Sequence, residues 1–280
     1  MVRNEKELVK TYVPHLRYDR AEPFALQGIG YTLYGESLEV NFHTIESENR
    51  ISLSKTLIGT PDGGGHRSIK MNRELLDSGM KIWQNGERRI SAKSPSCRRI
   101  IEAPPEGIAI EYAFYYDFDI QHLYDLEHAF VYLDREGQIV GVESSFHGKF
   151  LNSRIEGVTQ YEGTHPVLYV QPGKHALLPA PAYFQLVIDR DTACHRDAGE
   201  AGFLIGPMFE GRLFTDRERD RKVETYIRRN YAFRPTWNFT EKSPDGRSTE
   251  ELLMPWEELD GLMLQRLGEW CRRIEEDTPA

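Results

Sequence analysis

The chain has 280 residues, 11% of them aromatic and 28% charged, with Lys+Arg at 35, Asp+Glu at 44 and a net charge of −9. That length supports a sizeable core, in one large β domain or two small ones. The acidic balance argues against nucleic acid as a partner, because such binding requires a basic footprint. No segment approaches the ~18 consecutive apolar residues of a membrane span, so no transmembrane segment is expected.

The N-terminus, MVRNEKELVK, carries charges of both signs and no apolar run of signal-peptide length. Cys97, Cys194 and Cys271 are odd in number and far apart, which suits a reducing compartment and a cytoplasmic location. A Cys97–Cys194 bridge stays open at this stage. Residues 10–34, with Pro14, Pro23 and many aromatics, read as extended chain laid against a core. Residues 36–60 alternate as strands do, with Leu38, Val40 and Phe42 on one face, Thr60 to Ser68 is a glycine-rich loop, and Asn72 to Gly86 reads as a short helix with an Asn cap and a glycine stop. Ile108 to Tyr116 is an aromatic strand buried on both faces. Leu126 to Leu133, the DREG turn at 134–137 and Gln138 to Ser145 make a hairpin. Val167 to Val170 is another strand, followed by the turn QPGK at 171–174.

Beyond Ala182 the strand signal weakens. Thr215 with Glu218 suggests a capping box for a charged helix over 216–230. Trp256, Leu259, Met263, Leu267, Trp270 and Ile274 recur every three or four residues, the stripe of an amphipathic C-terminal helix. No linker stands out. The expectation is a single domain over 1–280: a mainly antiparallel, jelly-roll-like β-sandwich over 10–180, with peripheral helices and loops over 181–280 packed on it.

Asp117 to His128 packs three aspartates, one glutamate and two histidines into an otherwise apolar stretch. Buried charge is costly unless paired or ligated. In a strand beginning near Asp125, Asp125 and Glu127 share a face, with roughly 7 Å between their Cβ atoms. Ala129, Val131 and Leu133 follow on that face, while His128 points to the other. A short turn from the preceding strand brings Asp119 and His122 beside Asp125. Either these groups face water at the strand end, or a divalent cation holds them together. Oxygen-rich ligation with one nitrogen suits Ca²⁺, Mg²⁺ or Mn²⁺, with Zn²⁺ an option.

The segment AFYYDFDIQHLYDLEHAFV, 113–131, resembles the necrosis- and ethylene-inducing-peptide-like proteins and a wider vacuolar-protein-sorting group, type sixty-two. Those families carry an aromatic strand followed by a GHxHDWEHV-like motif. His122, Asp125, Glu127 and His128 match its spacing, and Asp119 fits the aspartate ending the previous strand. Leu126 replaces the motif's tryptophan, Tyr124 its second histidine and Gln121 its glycine. THPVLYVQPGKHALLP, 164–179, is similar to the group's HPVVYVAxGSHAxYP block through His165, Pro166, Tyr169, Gly173, His175 and Ala176. SSFHGK at 144–149 and the lead-in YVPHLRYDRAEPF at 12–24 also look alike. The resemblance covers about residues 10–180. It implies a β-sandwich with a divalent cation held by Asp119, His122, Asp125 and Glu127.

His175 and His147, each at a strand end, are candidate catalytic bases, since an ordinary imidazole pKa near 6.5 suits proton transfer. The functional expectation is an intracellular divalent-metal-dependent enzyme. It would act by hydrolysis or elimination on a sugar-, phosphate- or lipid-headgroup-like small molecule. The alternative is a non-enzymatic, metal-dependent binder of a glycan or lipid head group. GTPDGGGHRS at 59–68 lacks the Walker lysine spacing and reads as a loop tip. Cys194-His195 are chain neighbours, which rarely gives a nucleophile–base geometry.

Overall fold

The computed structural model describes residues 2–35 and 91–277. The strands expected over 36–60, the 60–68 loop and the Asn72–Gly86 helix lie outside these residues. In chain order come helix α1 (Val2–Tyr12) and strands β1 (His15–Asp19), β2 (Leu26–Gly35), β3 (Ser91–Lys93) and β4 (Ile100–Glu102). The long strands β5 (Ile108–Phe118) and β6 (Leu123–Leu133) follow, then β7 (Ile139–Phe146) and β8 (Lys149–Asn152). β9 (Tyr161–Glu162), β10 (His165–Val170) and β11 (Leu177–Leu178) precede α2 (Arg217–Tyr231), β12 (Phe239–Thr240), β13 (Leu253–Pro255) and α3 (Trp256–Asp277).

The larger sheet has the order β13-β2-β5-β6-β7-β8, and only the β13–β2 pair is parallel. The second runs β11-β10-β1-β12, with β9 added to β10 and with β1 and β10 parallel. β3 and β4 pair as a small separate ribbon. The expected mainly β, sandwich-like arrangement is present, with strand pairing mostly antiparallel.

Register explains what each face carries. Tyr116 pairs with Asp125, Phe114 with Glu127 and Tyr112 with Ala129, so these six side chains share one face. That face meets the second sheet and α1. The Tyr116 hydroxyl lies 3.4 Å from that of Tyr18 in β1, and the Tyr112 hydroxyl donates to the Val9 carbonyl at 2.8 Å. The other face carries Ala113, Tyr115 and Asp117, opposite Gly30 and Gly28 of β2, and α3 covers it. A Cβ on Gly28 or Gly30 would stand 2.7 or 2.8 Å from Leu259, so both glycines are set by the close approach of this helix. Leu259, Met263 and Leu267 are fully buried there, each contributing about 1.5–3 kcal/mol of apolar burial. With both faces covered, all eleven residues of β5 are buried, hence its mostly apolar sequence, broken only by Glu111 and Asp117.

Two readings from sequence need correction. The N-terminal segment is helical as far as Tyr12 before turning extended. Leu8, Val9 and Tyr12 form its buried stripe. Helix α2 is capped by Asp216 and not Thr215. The Asp216 carboxylate accepts from the amides of Glu218 and Arg219 at 3.0 and 2.9 Å, two donors that the first helical turn leaves free. The amphipathic C-terminal helix is present, and one core cluster draws residues from Leu8 through Ile274.

Candidate metal centre at a hairpin end

β5 and β6 are joined by the tight turn Ile120-Gln121, closed by the Asp119 amide donating to the His122 carbonyl at 2.9 Å. Two neighbouring segments clamp this turn. The Ile120 amide donates to the Gly173 carbonyl at 2.7 Å, and the Gly199 amide to the Ile120 carbonyl at 2.8 Å. Gly173 has φ +66, and a Cβ there would sit 2.9 Å from that of Ile120, so only glycine fits so close to the turn. The Gly206 amide donates to the Tyr124 hydroxyl at 2.8 Å, laying the glycine-rich 199–206 stretch along the hairpin.

The turn puts Asp119 and His122 side by side, with Oδ2 and Nε2 3.9 Å apart. Asp119 is 2% exposed. Its Oδ1 accepts from the Gln121 amide at 2.6 Å, and the Lys174 ammonium lies 3.3 Å from the carboxylate. Burial alone would raise its pKa, but His122, Lys174 and the Gln121 amide reverse that and hold it below the ordinary value. Lys174 in turn is raised: burial opposes its charge, and Asp119 and Asp125 outweigh the burial.

Asp125 and Glu127 share a face two residues on. Asp125 accepts from the Leu126 amide at 2.8 Å, and its other oxygen meets His175 Nδ1 at 3.1 Å. Glu127 is 6% exposed and accepts from the Ser145 hydroxyl. Its pKa is pushed well above the carboxylate range, first by burial and then by the charges of Asp125 and Asp119.

His175 is fully buried, in left-handed backbone with φ +53, and its ring stacks on Tyr116 at 3.8 Å. Nδ1 faces Asp125, and Nε2 lies 3.6 Å from Glu22 Oε1, beyond hydrogen-bond reach. Burial works against its charge, but Asp125 and Glu22 overcome it and raise the pKa to about 10. The ring therefore holds its proton at neutral pH, as a buried cation between two carboxylates. His147 differs. It is partly buried, its Nε2 lies 2.9 Å from Gln171 Oε1, and burial, aided by Lys174, lowers its pKa. It is neutral at pH 7 and able to accept a proton.

The fold thus gathers Asp119 with His122, and Asp125 and Glu127 with His175, around one hairpin end. No three of the four expected ligands bring their ligand atoms within 4.8 Å of one another, as the sets His15–His165–Glu250 and Cys97–Glu111–His128 do. Sequence alone gave Glu22 and Tyr116 no role in the site, gave Gln121 only the place of the motif's glycine, and offered nothing to single out Lys174. Glu22 does lie in the acidic lead-in 12–24, and Lys174 in the QPGK turn. Asp117 turns to the other face, where its carboxylate meets Arg266 of α3 at 2.7 and 2.5 Å. Cys97, Cys194 and Cys271 are all free, so the Cys97–Cys194 bridge does not form. No helix among the described residues is long and apolar enough to cross a membrane.

No family model matches the chain, and no curated protein does. Among solved structures, the chain is similar to Necrosis and Ethylene inducing Protein 2 from the causal agent of cocoa's Witches Broom disease. Identity is 32%, over 26% of this chain and 39% of that one, with a TM-score of 0.23. The likeness is one of local sequence.

Proposed function

We propose that the hairpin end binds a divalent cation through Asp119, His122, Asp125 and Glu127, and that the protein is a cation-dependent enzyme. The supporting observation is the Glu127 carboxyl, driven toward its neutral form by burial and by two neighbouring carboxylates. An added dication relieves that repulsion, which is what a metal site supplies. The donor set, three carboxylates and one imidazole, suits Ca²⁺, Mg²⁺ or Mn²⁺ better than Zn²⁺. A shared ion would require these four side chains to draw closer than their present spacing. Membership of the necrosis- and ethylene-inducing-peptide-like group belongs to this proposal, on the match of these four positions to its motif.

A dication held here supplies Lewis acidity toward a substrate oxygen or a bound water. The reaction class is hydrolysis or elimination on a sugar-, phosphate- or lipid-headgroup-like small molecule. His147 moves the proton: Gln171 accepts from Nε2–H, leaving Nδ1 as the basic atom. His175 fixes Asp125 and balances buried charge, since an imidazole that keeps its proton up to about pH 10 is no base at pH 7. The three free thiols suit a reducing compartment, so the proposed location is cytoplasmic.

A second reading, non-enzymatic binding of a glycan or lipid head group, is favoured by the burial of His175, which leaves His147 alone as proton carrier. One experiment serves both. Elemental analysis and calorimetric titration of Ca²⁺, Mg²⁺ and Mn²⁺ should give one site in the wild type, lost in Asp125→Ala and Glu127→Gln. Mass spectrometry of a metabolite pool incubated with the metal-loaded protein then separates turnover from binding. Equal metal content in wild type and both variants removes the proposal.

A further inference from the structure

The two ends of β10 differ in chemistry. The turn after its last residue, Val170, carries Gln171, whose side chain meets His147, and then Lys174 and His175. Its first residue, His165, lies beside His15, the first residue of the parallel strand β1. The two imidazoles stack at 4.1 Å with 11° between their planes. Glu250, in the turn before β13, completes a set whose ligand atoms lie within 4.8 Å of one another. His15, Glu162 and Glu250 line a cavity of about 260 Å³.

The hydrogen bonds decide which ring atoms are free. His165 Nδ1 donates to the Val13 carbonyl at 2.8 Å, which leaves the lone pair on Nε2. His15 Nδ1 meets Glu162 Oε2 at 2.7 Å, and its Nε2 faces Glu250 Oε1 at 3.2 Å. Carbonyl–His and carboxylate–His pairs of this kind orient metal-binding imidazoles and raise their basicity. An unprotonated Nε2 pointed at a carboxylate requires a cation between them, either a proton or a metal. His165 is neutral at pH 7, since burial holds its pKa below the ordinary value. Glu250 is ionised: burial opposes this, but hydrogen bonds from the backbone, His15 and Ser248 outweigh it.

We propose that His15, His165 and Glu250 form a second metal site, for a borderline divalent ion of the Zn²⁺ class, with Glu162 orienting His15 and a free coordination position toward the cavity. Two imidazoles and one carboxylate favour such an ion over Ca²⁺ or Mg²⁺. Tetrahedral Zn–N bonds of ~2.0–2.1 Å separate ligand atoms by about 3.3 Å, so binding requires the two rings to tilt out of their parallel stack until their Nε2 lone pairs converge.

The test uses full-length, metal-stripped protein carrying Glu127→Gln, which takes the hairpin end out of the reading. Zn²⁺ titration by calorimetry should show one site, and Co²⁺ should give the intense visible bands of four-coordination. Glu250→Gln and His165→Asn should each weaken Zn²⁺ binding by at least tenfold, and Glu162→Gln by about tenfold. Circular dichroism checks that each variant folds, and Glu250→Gln, at a partly exposed turn, carries the test if His165→Asn does not fold. Absence of Zn²⁺ uptake, or equal affinity in the parent and in Glu250→Gln, overturns the proposal.

Discussion

β5 and β6 carry buried ionisable groups on both faces, and the two faces meet their charge differently. On one face Glu111 accepts from the hydroxyls of Tyr34, Ser94 and Ser96, and His128 Nε2 meets Ser96 at 2.8 Å. Burial keeps His128 neutral by lowering its pKa, and keeps Cys97 a thiol by raising its own. One anion has three hydroxyl donors, and the network closes on itself. On the other face Asp119, Asp125 and Glu127 crowd together with Glu22, opposed by His175 and Lys174. The residue types are similar. What marks the hairpin end as the functional candidate is surplus negative charge, because a satisfied network has nothing left to offer a ligand.

The largest expected effect comes from removing the buried cation. His175→Gln leaves Asp125 and Glu22 without their shared charge and should cost about 3–5 kcal/mol at pH 6. The sign follows from the raised pKa. The contribution is complete below the unfolded imidazole value of 6.5 and disappears as pH rises through about 10. Denaturant titrations at pH 6, 8 and 10 should therefore show the gap between wild type and variant closing with pH. A gap that stays constant would assign the loss to packing on Tyr116 instead.

The comparison sharpens with the same substitution made on each face. Glu111→Gln removes the charge that strengthens three hydroxyl bonds and should cost about 2 kcal/mol. Glu127→Gln replaces a carboxyl already driven toward neutrality, so at pH ~4, where the unfolded carboxyl is largely protonated as well, stability should change by less than about 1 kcal/mol. Its raised pKa destabilises the cation-free fold as pH climbs above the unfolded value of 4.5, and Glu127→Gln should remove that slope. Metal affinity should fall at least tenfold in Glu127→Gln and stay unchanged in Glu111→Gln. Equal behaviour of the two variants, read by denaturation and calorimetry, would erase the distinction between the faces.

Strand alternation made part of this legible. The spacing of Asp125, Glu127 and His128 alone placed the two carboxylates on one face and the imidazole on the other, and the short turn implied that Asp119 and His122 adjoin. The C-terminal helix followed from its three–four periodicity. Partners brought by long-range packing were out of reach. Glu22 arrives from β1's far end and Lys174 from the turn after β10, and no local pattern distinguishes them from solvated charges. His15 and His165 stand 150 positions apart in the chain, joined only by the parallel pairing of β1 with β10. His175 looked like a base because its sequence neighbours say nothing of the two carboxylates that enclose it.

The smallest expected effect concerns Lys174, the flexible cation already seated in the acidic cluster. Its ammonium lies 3.3 Å from Asp119 and 2.5 Å from Gln121 Oε1, so an incoming dication must share or displace it. Lys174→Met keeps the aliphatic stem and deletes the charge. Asp119 then loses one of the cations holding its pKa down, while the cluster becomes more negative. Divalent affinity should rise about tenfold, equivalent to ~1.4 kcal/mol, although the metal-free protein becomes less stable. Calorimetry with Ca²⁺ and Mn²⁺ reads the first change and denaturation the second. Opposite signs are the signature of a competitor in a cation site; a fall in both would make Lys174 a structural partner of Asp119 and turn the hairpin end into a closed network like that around Glu111.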